Sequence, residues 1–215
     1  MKLVSVNVGL PREVEWKGRT VSTGIFKSPV DGPVALHQHN LAGDRQADLS
    51  VHGGPTKAVY AYSAQHYEYW RSELSDPGLS WGAFGENFTI DGGDEETIHI
   101  GDEFQIGTAR VVVTEPRVPC YKLGIRFDRA DMVRLFLESQ RSGFYFGVVE
   151  EGVVEAGDTL ERVFEHPARL SVADVTRIFT NDQMNEELLR KAVSVEALPE
   201  KWRYMSEHYL ELLTG

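Results

Sequence analysis

Cysteine is nearly missing from this chain of 215 residues: Cys120 is the only one. That excludes an internal disulfide, and it excludes a cysteine-ligated zinc finger or an iron–sulfur cluster built by this chain alone. Electron chemistry here needs a bound cofactor. Long apolar runs are missing too, since none approaches the ~18 to 20 residues of a membrane span. The start, Met1 to Val8, alternates like a strand and has neither the apolar block nor the cleavage site of a signal peptide, so a cytoplasmic protein with no membrane partner is expected. Basic residues are scarce, with 22 Lys and Arg against 33 Asp and Glu and a net charge of −11. Such a chain is a poor nonspecific nucleic-acid binder, because that binding runs on phosphate neutralisation. A small anionic ligand held by a few local bases stays open. The chain has no solenoid repeat, no low-complexity segment, no P-loop and no Gly-x-Gly-x-x-Gly fingerprint.

What is present reads as mainly β with helices, an α+β chain. Its 41% hydrophobic content suffices for one core plus a small appendage. Leu3 to Val8, Val14 to Trp16, Val21 to Phe26, Val34 to Leu36, Ala58 to Tyr62 and Asn87 to Ile90 read as short strands. So do Thr97 to Ile100, Phe104 to Ile106, Ala109 to Thr114, Phe144 to Val149 and Val153 to Glu155, with Gly-Asp pairs between several of them. The many short strands and turn signals suggest a barrel or sandwich. Lys27 to Pro33 is dense in turn residues, and Gln38 to Thr56 reads as a long loop of the kind that is usually functional. Helices are expected from a Ser63 cap to Leu74 and over about 129–139. After about Phe164 three apolar stripes at helical spacing follow, with Pro199 at the start of the last. The expected division is a β domain over 1–164 and a three-helix extension over 165–215.

Four segments can carry chemistry. Glu115 to Lys122 holds Cys120 just past a buried-looking strand, stiffened by Pro116 and Pro119, with Arg117, Lys122 and Arg126 near in sequence. A thiolate among cations is both nucleophile and metal ligand, and a buried cysteine packing as a small apolar residue fits the same local sequence. Gly43 to Lys57 is glycine-rich and supplies Arg45, His52 and Lys57 to an anion, or is a surface loop with solvated charges. In Phe84 to Thr89, Asn87 offers an amide to a heterocycle edge. His37 and His39 suit polar surface positions better than a metal pair, for want of a third ligand.

Together these segments resemble the MOSC family, in its YiiM-like branch. The likeness rests on Ser22 to Val30, the Gly43 to Lys57 loop, Ala58 to Tyr62, Phe84 to Thr89, Gly101-Asp102, above all Pro116 to Leu123, and the three-helix C-terminal region. It implies a MOSC-type β-barrel binding a pyranopterin molybdenum cofactor, with Cys120 as the molybdenum ligand. It also implies reduction of N-hydroxylated compounds such as 6-N-hydroxylaminopurine, a detoxifying oxidoreductase activity. By the same likeness Lys27, Ser28 and Arg45 match phosphate-holding positions and Asn87 sits in a cofactor-contacting segment; Lys57 and Arg117, as bases in the two motif segments, complete the expected cofactor-binding set. His52, in the glycine-rich loop, is the expected proton donor. Pyridoxal phosphate is not expected. Electrons are expected from a separate reductase, and the sequence admits a homodimer. A persulfide-carrying Cys120 that transfers sulfur, and a non-catalytic cofactor-binding module, are the two alternatives.

Overall fold

The computed structural model describes residues 1–48 and 53–214. Among the described residues thirteen strands and six helices follow in chain order. The strands are β1 (Lys2–Val8), β2 (Arg12–Trp16), β3 (Arg19–Thr23), β4 (Ser28–Val30), β5 (Val34–His37), β6 (Asn40–Leu41), β7 (Val59–Ser63), β8 (Phe88–Asp91), β9 (Glu103–Ile106), β10 (Ala109–Pro116), β11 (Phe144–Glu150), β12 (Gly152–Val154) and β13 (Leu160–Phe164). The helices are α1 (His66–Glu73), α2 (Lys122–Phe127), α3 (Met132–Ser139), α4 (Val172–Thr180), α5 (Glu186–Ser194) and α6 (Glu200–Thr214).

The main sheet has eight strands in the order β13-β9-β10-β11-β7-β8-β1-β4, all pairs antiparallel except β7 with β8. The expected barrel is realised as a curled sheet rather than a continuous ring of ladders. Its ends meet where the start of β1 touches the turn before β13: Leu3 N donates to Asp158 O (2.9 Å), Gly157 N to Leu3 O (2.7 Å) and Leu160 N to Met1 O (3.0 Å).

One face of the sheet buries Leu3, Phe88, Phe104, Phe146 and Leu160, and the same cluster runs on through Val172, Val175, Ile178 and Trp202. The three C-terminal helices therefore share one core with the sheet. A second, aromatic core of Tyr62, Tyr67, Trp70, Phe84 and Phe136 seats α1, α2 and α3. Side-chain caps open two of the C-terminal helices. Ser171 and Asp174 exchange side-chain and backbone bonds at α4, and Asn185 accepts from Leu188 N at α5, each cap contributing ~1 kcal/mol.

Several sequence expectations change. Thr97 to Ile100 is not a strand: the Asp94 carboxylate takes the Glu96 and Thr97 amides and Asp102 takes the His99 amide, so side chains compete with a ladder and win. Ser63 ends β7, and α1 starts later with no side-chain cap. Ser28 to Val30, expected as turn, pairs with β1 as β4. Helix α2, directly after Cys120, was not expected. Leu123, Gly124 and Ile125 are buried in it, so packing rather than propensity forms it. His37 lies on β5 and His39 in the following turn, both exposed, so they share no strand face.

Candidate functional site

Strand pairing builds the site. Across neighbouring strands the register sets Pro116 of β10 beside Phe144 and Glu115 beside Tyr145 of β11, then Tyr145 beside Tyr60 of β7. Beyond β7, Asn87 donates its amide to Tyr60 O (2.8 Å) and accepts from Asn7 N of β1 (2.7 Å). Residues far apart in sequence thus form one row at one end of the sheet. The loop from Arg117 to Tyr121 leaves β10 at this row and carries Cys120 over it.

Tyr60, Asn87 and Tyr145 of this row line a cleft of about 690 Å³, counting its open mouth, with Lys27, Arg45, Lys57, Arg117, Cys120 and Lys122 among the other lining residues. Its size suits a small molecule. Five of those six side chains are cationic, in a protein of net charge −11, so the positive field is local. The wall is held closely. A Cβ on Gly24 would lie 2.5 Å from the Arg45 carbonyl oxygen, and Gly85, at φ +79°, would set one 2.8 Å from Ile25. Only glycine permits both approaches.

The expected residues divide. Arg45, Lys57, Asn87, Arg117, Lys27 and Cys120 all reach the cleft. Ser28 does not: it is exposed on β4 and outside the lining. His52 lies outside the described residues. Lys27 lines the cleft, but its ammonium is paired with the buried Asp44 carboxylate. Burial pushes Lys27 below the ordinary lysine range, while Asp44 opposes the shift. Asp44 also accepts from Gly9 N (2.9 Å) and from Asn87 Nδ2 (2.9 Å). The Asn87 amide is committed as well, giving Nδ2–H to Asn7 O (3.2 Å) and accepting Tyr60 N–H at Oδ1 (3.2 Å). Lys27, Asp44 and Asn87 are thus a buried polar brace behind the wall, and the brace fixes the loop that presents Arg45.

Arg117 is buried, its guanidinium over the rings of Tyr60 (4.8 Å) and Phe136 (5.1 Å), with Nη1 donating to Tyr60 Oη (3.4 Å). Tyr145 is pushed up to about 12 by burial, against the pull of Arg117, so its phenol keeps its proton at neutral pH. Burial holds Lys57 below the ordinary lysine range; Glu115 opposes this and Lys201 adds to it.

A second cavity adjoins the first. Lys57, Val118, Cys120 and Tyr145 line both, and the far wall of the second comes from Phe179 of α4 and from Lys201, Trp202 and Met205 of α6. Buried Glu115 also lines this second cavity; it accepts Trp202 Nε1–H (2.9 Å), pairs with Lys201 Nζ (2.6 Å) and accepts from Thr56 Oγ1 (3.3 Å). Asp44, Tyr60, Tyr145, Glu115 and the aromatic residues of α4 and α6 were not among the residues expected. Asp44, Tyr60 and Glu115 sit inside segments that the sequence singles out, but nothing in those segments marks their roles, and only folding brings Tyr145, Phe179 and Trp202 to the cavities beside Cys120. Among the described residues no group of three or more His, Cys, Asp or Glu could hold a metal ion, and no helix is long and apolar enough to cross a membrane.

The chain can be compared with known proteins on this basis. Residues 48–161 match the MOSC domain, and residues 170–211 match the YiiM-like 3-alpha helix domain. The Bacillus subtilis protein YflK is 43% identical over 201 residues, covering 94% of this chain and 90% of that protein. A Gibberella moniliformis protein named a reductase is 32% identical over 181 residues, covering 83% of this chain but 32% of that longer protein. The crystal structure of YiiM from Geobacillus stearothermophilus superimposes with a TM-score of 0.81 at 34% identity, over 97% of this chain and 98% of that one.

Proposed function

Because this chain belongs to the MOSC family and carries the YiiM-like three-helix domain, we propose that it is a molybdenum-cofactor-dependent reductase of N-hydroxylated compounds. The observation that carries the reading is the gathering of the one thiol with Arg45, Lys57, Arg117 and Lys122 in a single cleft. That donor set fits a pyranopterin molybdenum group: a soft thiolate suits a metal already bound by sulfur, and guanidinium and ammonium donors suit a phosphate. When bound, the cofactor would supply two-electron redox chemistry in the cleft that Cys120 and the basic residues line.

The residues have distinct roles under this reading. Cys120 holds the metal and is neither acid nor base. Arg45, Lys57 and Lys122 hold the phosphate, and Lys27 serves behind them by pinning Asp44. Arg117, clamped between aromatic rings, fixes the direction in which the Cys120 loop leaves the sheet and keeps a positive charge under it. Tyr145 holds a proton on its phenol oxygen beside the cleft. Reduction of R–NHOH to R–NH2 and water consumes two electrons and two protons. With one cysteine and no cluster of its own, the chain takes those electrons from a separate reductase. The longer fungal relative, 32% of which this chain matches, is named a reductase, which fits a redox setting for this chain.

The test is molybdenum and pterin analysis of protein made in a cofactor-competent host, with 6-N-hydroxylaminopurine reduction assayed beside it. Wild-type protein is expected to carry both and to turn over with a supplied electron donor. Cys120→Ser is expected to keep the fold and lose at least 100-fold in rate. Full activity in metal-free protein overturns the proposal. Sulfide release on mild reduction, without pterin, assigns Cys120 to sulfur transfer instead, and cofactor without turnover leaves a binding module.

A further inference from the structure

Charge is spread unevenly along this chain. Residues 9–27 and 117–127 hold seven Lys and Arg against two Glu, a net +5 in a chain of −11, so the remainder stands at −16. The fold joins these two segments into one face. Among the described residues, strands β2 and β3 pair only with each other, in a register that sets Arg12 beside Thr23 and Trp16 beside Arg19. The ribbon leans on α2, where a Cβ on Gly124 would lie 3.8 Å from the Trp16 ring. Between ribbon and helix, the Phe26 ring takes the Arg12 guanidinium at 3.6 Å and that of Arg126 at 5.5 Å. Helix α2 starts two residues after Cys120. The face therefore borders the mouth of the thiol's cleft, whose lining includes Thr23, Gly24, Ile25 and Lys122.

The bases of this face lack counter-charges. Arg110, Arg162, Arg177 and Arg190, elsewhere on the surface, each meet a carboxylate. Arg12, Lys17, Arg19, Lys122 and Arg126 meet none among the described residues. Burial holds Arg126 below the ordinary arginine range, and Arg12 adds to this against the pull of Tyr67 and Glu86. Like charges crowded on one ring are relieved by an incoming carboxylate. Three large apolar side chains, Leu10, Val118 and Tyr121, stand exposed along the same rim. Leu10 leads into β2, and Val118 and Tyr121 flank the thiol. Arginines and aromatic groups set among exposed apolar side chains are the composition of a protein interface.

We propose that this face, from the β2–β3 ribbon across Phe26 to α2, docks an acidic electron-carrier protein whose carboxylates meet Arg12, Lys17, Arg19, Lys122 and Arg126. This rests on the reductase reading for the partner's redox character, but the preference for an acidic protein rests on the charge alone. Attraction at the face and repulsion from the acidic remainder orient such a partner before contact. A nucleic acid meets the same remainder with more charge of its own and has no use for exposed Leu10 and Tyr121. The reduced carrier is oxidised and gives up the two electrons that reduction of R–NHOH consumes, while the two protons come from solvent. Phe179, Lys201, Trp202 and Met205, which wall the second cavity, lie outside this face, so a docked carrier leaves that side of Cys120 open to a small molecule.

The experiment is calorimetric titration of flavodoxin, an acidic flavin carrier, into wild-type protein and two charge-reversed variants, each checked for folding by thermal unfolding. Arg12→Glu with Arg19→Glu alters the face. Arg169→Glu with Arg190→Glu makes the same change in net charge at exposed positions away from it. Wild-type and control proteins are expected to bind saturably, with Kd rising at least tenfold between roughly 50 and 200 mM salt. The face variant should lose at least tenfold in affinity and most of the salt dependence. Equal affinity of the two variants, no saturable binding to wild-type protein, or tighter binding of basic cytochrome c or duplex DNA than of flavodoxin overturns the proposal. So does self-association of wild-type protein that the face variant abolishes, which assigns the face to a second copy. If cofactor-loaded protein reduces 6-N-hydroxylaminopurine with a small chemical reductant but flavodoxin does not dock, the docking proposal fails and the reductase reading stands. If flavodoxin docks in the expected pattern and loaded protein reduces nothing with either donor, the reductase reading fails and the surface for an acidic protein stands.

Discussion

Asp44 shows how much of a binding wall is decided by a residue that never faces the ligand. Its carboxylate is the common acceptor for Lys27, Gly9 and Asn87, and the next residue is Arg45. Both side chains of the Lys27–Asp44 pair are nearly inaccessible, so removing one partner strands a buried charge. Asp44→Ala is expected to cost ~3 to 5 kcal/mol in urea unfolding. The double variant Lys27→Met, Asp44→Asn should recover much of that loss, a coupling that a double-mutant cycle measures. Lys57 gives a prediction in pH. Its value lies below the ordinary lysine range through burial, so its charge is lost, as pH rises, earlier than that of an exposed lysine. Binding of inorganic phosphate in the cleft should therefore weaken with rising pH from below that range. In Lys57→Arg, which stays charged, the fall should move to higher pH; an unchanged profile in isothermal titration would remove Lys57 from the phosphate site.

Elements meet at Glu115. This one carboxylate on β10 ties helix α6 to the sheet through Trp202 and Lys201. Trp202→Phe keeps most of the ring but leaves Glu115 one donor short, and ~1.5 to 3 kcal/mol of stability should be lost for that charged hydrogen bond. Thermal unfolding measures it, and a change within error would show that water or Lys201 compensates. At this scale the sequence was readable wherever one local signal dominated. The β-branched run of β10 and the apolar stripes of α4 to α6 are visible because each buries one face. Helix α2 was not, because it is only six residues long with Gly124 at its middle, too short to show a periodic stripe, and the packing of Leu123 and Ile125 holds it. The site was legible in its chemistry: a single thiol and its basic neighbours stand out as residue types. It was not legible in its braces, because Tyr60, Tyr145 and Phe179 come to the cavities beside Cys120 only through strand register and helix docking, and nothing local marks Asp44 or Glu115 as the carboxylates that hold the walls.

At the scale of the whole molecule, the curled sheet is completed by a few hydrogen bonds between the first residues and the turn before β13. If that seam belongs to the cooperative fold, the amides of Leu3, Gly157 and Leu160 should exchange hydrogen with a free energy close to that of Val113 in β10. Exchange several kcal/mol faster would show that the sheet opens there on its own. Helices α4 to α6 share the sheet's core, so they should unfold with it in one transition rather than as a separate unit.

Because the sulfur of Cys120 stands in the party wall between two compartments, its rate of alkylation is a reporter for both. A phosphate-bearing molecule on one side and a second ligand on the other would each slow a small thiol reagent, and the two together would slow it more than either. One mass-spectrometric time course on this single-thiol chain thus reads the filling of two neighbouring chambers.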